Sequence, residues 1–266
     1  MQGPPSAGRR TAPVDVSIVI PAFDEAERIA PSLKEIAAHL SARPFRGEVL
    51  LVDDGSRDGT AEVARQAAAA HDLALEVLRY TPNRGKGHAV RTGMLAARGE
   101  AVLFTDADLS VPVSHLDRFL SRLHEGADVV IGSRRAPGAN IVRHQPAWRE
   151  RLGTVFRDVA RLVLVPGVDD FTCGFKLFRA EAARAVFSRQ RVDGWGFDVE
   201  IALIARRLGL HMVSEPVQWS DDARTRVRIG RDALRSAWEL ARVRWHDLRG
   251  AYGPEPAVRR ESTGSP

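Results

Sequence analysis

The stretch Val14-Asp15-Val16-Ser17-Ile18-Val19-Ile20-Pro21-Ala22-Phe23-Asp24-Glu25 decides how the rest of the chain is read. It opens on a nearly continuous apolar run and ends on a proline followed by two acids. A strand with one wet face alternates apolar and polar residues, whereas an unbroken run suits a strand buried on both faces of a parallel sheet. Four more runs share this character: Glu48 to Val52, Leu75 to Arg79, Ala101 to Thr105 and Val129 to Gly132. Between them, apolar residues recur at helical spacing in Leu33/Ile36/Ala37/Leu40, Val63/Ala64/Ala67, Ala89/Val90/Gly93/Met94/Ala97 and Leu116/Phe119/Leu120/Leu123. Repeated β-then-α units predict an α/β fold, a mostly parallel sheet flanked by helices on both faces.

Past Gly132 the rhythm changes. Trp148/Leu152/Val155/Phe156/Val159/Val163 predict a longer helix, Phe175 to Phe178 a short strand, and Phe197/Ile201/Ile204/Ala205/Leu208 another helix. His211 to Trp219 reads as a late strand and Ile229 to Arg249 as a final helix. With no internal repeat and no linker, residues 14–249 read as one domain, a regular half at 14–135 and a mixed α+β half at 136–249. The tails at 1–13 and 250–266 are rich in Pro, Gly, Ser and Arg and read as disordered.

Composition narrows the function classes. The chain has 266 residues, 44% hydrophobic and 27% charged, the balance of an ordinary globular protein. Cys173 is its only cysteine, which excludes an intrachain disulfide framework and a Cys-rich zinc site. The most membrane-like run, Val159 to Val168, is interrupted by Arg161 and Pro166 and falls short of the roughly 18 residues a span requires. Val14 to Ile20 follows a Pro-rich tail and stops at Pro21, unlike a signal-peptide core, so the expected location is cytoplasmic. A net charge of +5 and a pI near 10.1 are compatible with nucleic acid, anionic lipid or phosphorylated small molecules.

In an open α/β sheet, ligands bind beyond the carboxyl ends of the strands. The residues just past each predicted strand are Asp24-Glu25, Asp53-Asp54-Gly55-Ser56, Asn83-Arg84-Gly85-Lys86-Gly87, Asp106-Ala107-Asp108 and Ser133-Arg134-Arg135. Carboxylates and cations thus converge on one edge. Asp106 and Asp108 form the sharpest pair, because two hard-oxygen donors at a strand tip suit Mg²⁺ or Mn²⁺ held jointly with substrate phosphates. The bland reading is a loop whose aspartates cap a turn before Pro112. Asp53 sits at a strand tip where it can accept hydrogen bonds from a base or ribose, while Asp54, Gly55 and Asp58 fit a turn and a helix cap. Asp24 and Glu25 either form a capping box with Glu27 or belong to a loop from Asp24 to Ile29, if Pro31 marks the first helical turn. Gly85-Lys86-Gly87 is not a Walker loop, since His88 follows where Ser or Thr is required, but Lys86 at a helix start remains a reasonable anion contact. His88 reads as a helix-surface residue, and no His-Glu-x-x-His pattern occurs.

The series resembles a known family when taken in order. It runs Ile20-Pro21-Ala22-Phe23-Asp24-Glu25, Val52-Asp53-Asp54-Gly55-Ser56, Asn83-Arg84-Gly85-Lys86-Gly87 and Asp106-Ala107-Asp108-Leu109-Ser110. It continues through Gly132-Ser133-Arg134, Cys173-Gly174-Phe175-Lys176-Leu177-Phe178, Phe197-Asp198-Val199-Glu200 and Pro216-Val217-Gln218-Trp219. From Val16 to about Trp245 it is similar to metal-dependent nucleotide-sugar glycosyltransferases of GT-A fold. Within these it resembles the dolichyl/polyprenyl-phosphate sugar synthases, most closely their dolichyl-phosphate β-glucosyltransferase branch. Asp24 stands where Asn is commoner, Thr172 where Gln is frequent, and Thr225-Arg226-Val227-Arg228 replaces a Ser-Lys-Val-Arg-like stretch.

The resemblance implies a GT-A-type, Rossmann-like nucleotide half (14–135), an acceptor half (136–249) and inverting transfer of a hexose. Glucose from UDP-glucose moving to polyprenyl phosphate is the leading expectation; another sugar or a soluble hydroxyl acceptor is the alternative. Pro21, Ala22, Asp24, Glu25 and Asp53 would hold the nucleotide with Lys86 and Asp106 nearby, and Asp106 and Asp108 would hold Mg²⁺ or Mn²⁺. Arg134, Arg149 and Arg228 would meet the donor diphosphate or acceptor phosphate, and Trp195 would lie at the acceptor. Asp198 and Arg134 are the catalytic candidates, with Asp198 equally readable as the N-cap of its helix. In the final helix Leu234, Trp238, Ala241, Trp245 and Leu248 share one face, flanked by Arg231, Arg235, Arg242, Arg244 and Arg249. That pattern suits a peripheral contact with the cytoplasmic face of a membrane, or a core-packing helix with a basic outer side. Nucleic acid is not an expected partner, because the acidic edge would repel a polyanion.

Overall fold

A computed structural model describes residues 14–143, 164–165, 168, 170–220 and 229–253. Its strands are β1 (Val16–Ala22), β2 (Gly47–Asp53), β3 (Leu75–Arg79), β4 (Ala101–Thr105), β5 (Val129–Ser133), β6 (Asn140–Arg143), β7 (Phe175–Arg179), β8 (Met212–Pro216) and β9 (Gln218–Ser220). Its helices are α1 (Ala26–Ser41), α2 (Thr60–Ala70), α3 (Lys86–Ala96), α4 (Leu116–His124), α5 (Ala180–Phe187), α6 (Phe197–Arg207) and α7 (Ile229–Leu248).

Seven strands form one sheet in the order β3-β2-β1-β4-β7-β5-β8, and β6 pairs with β9 in a small second sheet. All pairings in the large sheet are parallel except those of β7, which runs against both β4 and β5. Side chains of successive strand residues point to opposite faces, and both faces are packed. Ile18, Ile20, Val49, Leu51 and Leu103 join a core with α1 and α4. Val19, Leu50, Val52 and Phe104 join another with α3, α5 and α6. The unbroken apolar runs are therefore buried strands, with β3 the exception: at the sheet edge, Glu76 and Arg79 are exposed.

The structure corrects the sequence reading in four places. α1 begins at Ala26 and contains Pro31, so Asp24 to Ile29 is neither a long loop nor a capping box. The early start is held from outside the helix, by Thr60 Oγ1 accepting the Glu25 N–H (2.8 Å) and Asp58 Oδ2 accepting the Ala26 N–H (3.0 Å). Burial of Ile29 and Leu33 offsets the donor that Pro31 lacks. Second, His211 to Trp219 is two strands, because Pro216 has no N–H to extend the ladder. Val217 bridges the sheets, donating to the Ser133 carbonyl (3.1 Å) and accepting from the Asn140 N–H (3.1 Å). Third, β6 and α5 had no place in the pattern. Fourth, the tail placed at 250–266 starts too early: Tyr252 is fully buried and donates to Glu200 Oε1 (2.7 Å). The helix expected from Trp148 to Val163 lies outside the described residues, as do 1–13 and 254–266.

Candidate active site

β1 and β4 are neighbours, yet the chain leaves them toward opposite edges of the sheet, for β2 and β5 respectively, and β7 later fills the gap between β4 and β5. Ligands in open α/β sheets bind at such a switch point, and the polar tips gather here. Ala22 ends β1 in register with Asp53 at the end of β2. Thr105 ends β4 opposite Phe175, the first residue of the reversed strand β7. The loop entering β7 therefore lies on the same edge as the loops leaving the parallel strands.

Asp106 and Asp108 both stay partly open at this edge. Lys86 Nζ sits 2.6 Å from Asp106 Oδ1 and 5.3 Å from the Trp195 ring centroid, and Trp195 is 47% exposed. Asp108 Oδ1 accepts from the Ser110 N–H (3.0 Å) and Oγ (2.8 Å), and its Oδ2 is 3.8 Å from Arg28 Nη1. Burial, followed by the Asp106 carboxylate, pushes the Asp108 pKa up. Lys86 is opposed by burial, but Asp106, Asp198 and Asp108 outweigh it and raise its pKa. The turn aspartates seen in the bland reading are present here, since Asp108 does cap Ser110.

The donor chemistry at Asp106 and Asp108 fits a hard divalent cation. Two carboxylates one residue apart leave a negative potential that a cation would relieve. Among the described residues no group of three or more His, Cys, Asp or Glu side chains is placed to hold a metal. The fit is thus to an ion that draws its remaining ligands from phosphate and water.

Local structure explains why these groups meet. Gly174 enters β7 against Asp106; a Cβ there would fall 2.0 Å from Asp106 Oδ2. Buried Asp54 accepts the N–H groups of Arg84 (2.7 Å) and Gly85 (2.8 Å), fixing the loop that delivers Lys86 to the start of α3. Gly85 adopts φ +109 with the Asp193 carbonyl 2.6 Å from where a Cβ would be, so only glycine fits. Asp53 is fully buried: its Oδ1 accepts the Ser56 N–H (2.7 Å), and its Oδ2 lies 3.2 Å from Arg79 Nε without a hydrogen-bond partner. Asp24, at φ +53, accepts the Arg57 N–H (2.8 Å), and Glu25 holds Arg28 through two 2.6 Å bonds.

Two of the expected roles look different in the structure. Asp198 is no helix cap: it is the second residue of α6, and its carboxylate is paired with Lys176 Nζ at 2.5 Å. Arg134 is clamped to Asp170, with Nε and Nη2 each 2.7 Å from a carboxylate oxygen, and also donates to Thr172 Oγ1 (2.8 Å). Its charge is already matched, and Nη1, which takes part in none of these bonds, is the atom left to meet an anion. Arg149 and Arg228 lie outside the described residues. Asp170 is not singled out in the sequence, Asp54 reads there only as a turn residue, and Gly174 and Lys176 stand in the quoted series without a role of their own. For Lys176 a signal existed, a lone ammonium inside the apolar run Phe175 to Phe178.

The family model described as glycosyl transferase family 2 matches residues 17–187, which include these tips. The chain belongs to glycosyl transferase family 2. Among curated family members it is 35% identical over 242 residues to a dolichyl-phosphate β-glucosyltransferase of Trichomonas vaginalis, covering 86% of this chain and 71% of that one. It is 32% identical to the enzyme of that name from Drosophila melanogaster (86% and 78%) and 30% identical to that from Homo sapiens (89% and 77%). Among solved structures, mannosyl-3-phosphoglycerate synthase from Rubrobacter xylanophilus superposes with a TM-score of 0.67 at 22% identity, covering 95% of this chain and 79% of that one. Glucosyl-3-phosphoglycerate synthase from Mycobacterium tuberculosis, crystallised with Mn²⁺, UDP-glucose and phosphoglyceric acid, gives 0.62 at 18% (86% and 79%). These likenesses establish the GT-A, Rossmann-like fold of the family 2 chain.

Proposed function

We propose that this family 2 glycosyltransferase moves glucose from UDP-glucose to a polyprenyl or dolichyl phosphate, with inversion at C1 and with Mg²⁺ or Mn²⁺ bound. The observation that carries the reading is the Asp106/Asp108/Lys86 cluster at the switch point, in a chain that is at least 30% identical over most of its length to enzymes named for this transfer.

The phosphate oxygen of the acceptor attacks C1 as the bond from C1 to the donor diphosphate breaks, and charge grows on the departing nucleoside diphosphate. A divalent ion held by Asp106 and Asp108 would supply electrostatic stabilisation of that charge. Lys86 is already placed beside Asp106 to contribute to it, with Arg134 Nη1, Arg149 and Arg228 as further contacts for donor or acceptor phosphates. Pro21, Ala22, Asp24, Glu25 and Asp53 surround the nucleoside in this reading, and Trp195 borders the acceptor. A phosphate monoester has its second pKa near about 6 and is mostly dianionic at neutral pH, so a strong base is not required. Asp198 takes the proton of the monoanionic fraction, or that of a hydroxyl if the acceptor is an alcohol.

The lipid side draws support from α7. Its face toward the core carries Glu239, Val243 and Asp247, and Asp247 pairs with Arg207 Nε at 2.7 Å. Trp238, Ala241, Trp245 and Leu248 are left outward. Arg242 stacks on Trp238 (4.9 Å) and Arg249 on Trp245 (4.4 Å), an arrangement suited to the headgroup zone of the cytoplasmic leaflet. The exposed tryptophans and the arginines stacked on them are what support peripheral attachment; among the described residues no helix is long and apolar enough to cross a membrane.

The test offers the purified protein a panel of radiolabelled nucleotide sugars with polyprenyl phosphate, with and without chelator. Organic-phase label from UDP-glucose alone, lost on chelation and in Asp108→Ala, is the expected result. Label confined to water-soluble acceptors, or undiminished in Asp108→Ala, overturns the acceptor or the metal assignment respectively.

A further inference from the structure

Lys176 is the second residue of β7, in register with Phe104 of β4 and Ile131 of β5, and so sits in the middle of the sheet. Neighbours in the strand alternate. Phe175 and Leu177 pack on the α1/α4 side, while Phe178 packs on the side that holds α6. Lys176 shares the face of Phe178. Its ammonium passes over the Phe104 ring at 4.7 Å, donates to the Cys173 carbonyl (2.6 Å) and meets Asp198 Oδ1. The side chain is fully buried.

An ammonium in this place is expensive. Removing a lysine and an aspartate from water costs several kcal/mol per ion, and an apolar pair of similar volume is often as stable or more so. Met or Leu at 176 would continue the apolar run of β7 with no such penalty. A charge kept against that gradient points to a task other than stability.

Its surroundings indicate the task. Asp198 is buried at the head of α6, where an unpartnered carboxylate would be driven to its neutral form. Lys176 engages one oxygen, Oδ1, and so fixes both the charge and the rotation of the group. Asp198 also lies within electrostatic reach of Lys86, which is bound to Asp106. Acids and lysines thus alternate from the interior of the sheet to its donor edge: Lys176, Asp198, Lys86, Asp106.

We propose that Lys176 is a positioning residue for glycosyl transfer, acting through Asp198 by holding its carboxylate ionised and oriented toward the acceptor. This rests on the reading of Asp198 as the acceptor-side carboxylate. Lys176 itself touches neither substrate nor metal.

Four proteins decide it: wild type, Lys176→Met, Asp198→Asn and the double variant, assayed for kcat on polyprenyl phosphate and, by calorimetry, for UDP binding with Mn²⁺. Asp198→Asn should lower kcat by roughly tenfold at about pH 5, where about nine-tenths of the acceptor phosphate is monoanionic and its proton has to be taken, and far less at neutral pH. Lys176→Met should do the same with UDP affinity within about twofold, and the double variant should be no slower than either single, since residues that act as a unit are not additive. Where Lys176→Met does not fold, Lys176→Gln takes its place. A folded Lys176 variant with wild-type kcat at that pH beside a slowed Asp198→Asn overturns the proposal alone. Multiplicative losses in the double variant overturn it as well, by showing that the lysine acts independently. Wild-type turnover at that pH in Asp198→Asn removes the reading of Asp198 and the proposal together.

Discussion

At the residue scale, Gly174 and Asp106 show how little room the site leaves. No positive φ is required at 174, so alanine there meets no backbone penalty; the difficulty is the 2.0 Å approach of its Cβ to Asp106 Oδ2. Gly174→Ala should fold, as circular dichroism would report, yet lose about 100-fold in transfer, the order expected when a reacting constellation moves by an ångström. Near-normal turnover would mean that Asp106 does not need its present position. Much of this edge was legible in the sequence. Asp53, Lys86, Asp106 and Asp108 follow parallel strands, and a rule that looks past each strand finds them. Asp170, Gly174 and Lys176 precede or open β7. That strand runs backwards, so its first residue, not its last, reaches the site, and no local pattern announces the reversal.

At the scale of elements, the parallel half of the sheet was readable because burial on both faces forces unbroken apolar runs. What was missed lies where pairing depends on distant partners: the start of α1, fixed by Asp58 and Thr60, and the break at Pro216. Another such long-range tie is Glu48, near the start of β2. Ser17 of β1 donates to its Oε1 (2.6 Å), the Arg98 N–H does so as well (3.0 Å), and the Arg98 guanidinium closes on Oε2 just before β4. Burial works against this carboxylate, but the Arg98 and Ser17 donors prevail and lower its pKa below the ordinary glutamate value. Its stabilisation is therefore complete above the unfolded value of about 4.3 and disappears as pH falls through the folded one. Glu48→Gln should cost about 2 kcal/mol at neutral pH, as expected for hydrogen bonds to a charged group. In urea titrations its stability should also decline less steeply than wild type between about pH 5 and about pH 3. Parallel pH profiles would show that the tie contributes nothing specific.

At the scale of the whole molecule, α7 joins the outer surface to the site. Glu239 on its inner side accepts the Gly196 N–H (2.7 Å), beside Trp195, while Trp238 and Trp245 face outward, 61% and 51% exposed. Because these two rings make little use of the core, replacing both by alanine should spare the fold. Under the peripheral attachment proposed above, sedimentation with vesicles rich in anionic lipid should nevertheless fall by about tenfold or more, given the apolar area lost from α7. Equal sedimentation of variant and wild type would remove α7 as the attachment face. The amphipathic spacing of this helix was visible in the sequence, but not which side the core would take. The tryptophans look like core residues, and the core instead receives Val243 and two carboxylates, because Gly196 and Arg207 offer those acids partners.

The solitary thiol of Cys173 lies in the loop that runs from Asp170 to Gly174, sealed from water, and burial raises its pKa to about 12. A sulfhydryl so placed is inert until the segment around it lifts away. The chain therefore carries a built-in clock: under native conditions, the pace of alkylation by iodoacetamide counts how often the entry to β7 opens. UDP with Mn²⁺ should slow that pace, and labelling as fast as that of a free cysteine peptide would mean the segment spends much of its time undocked.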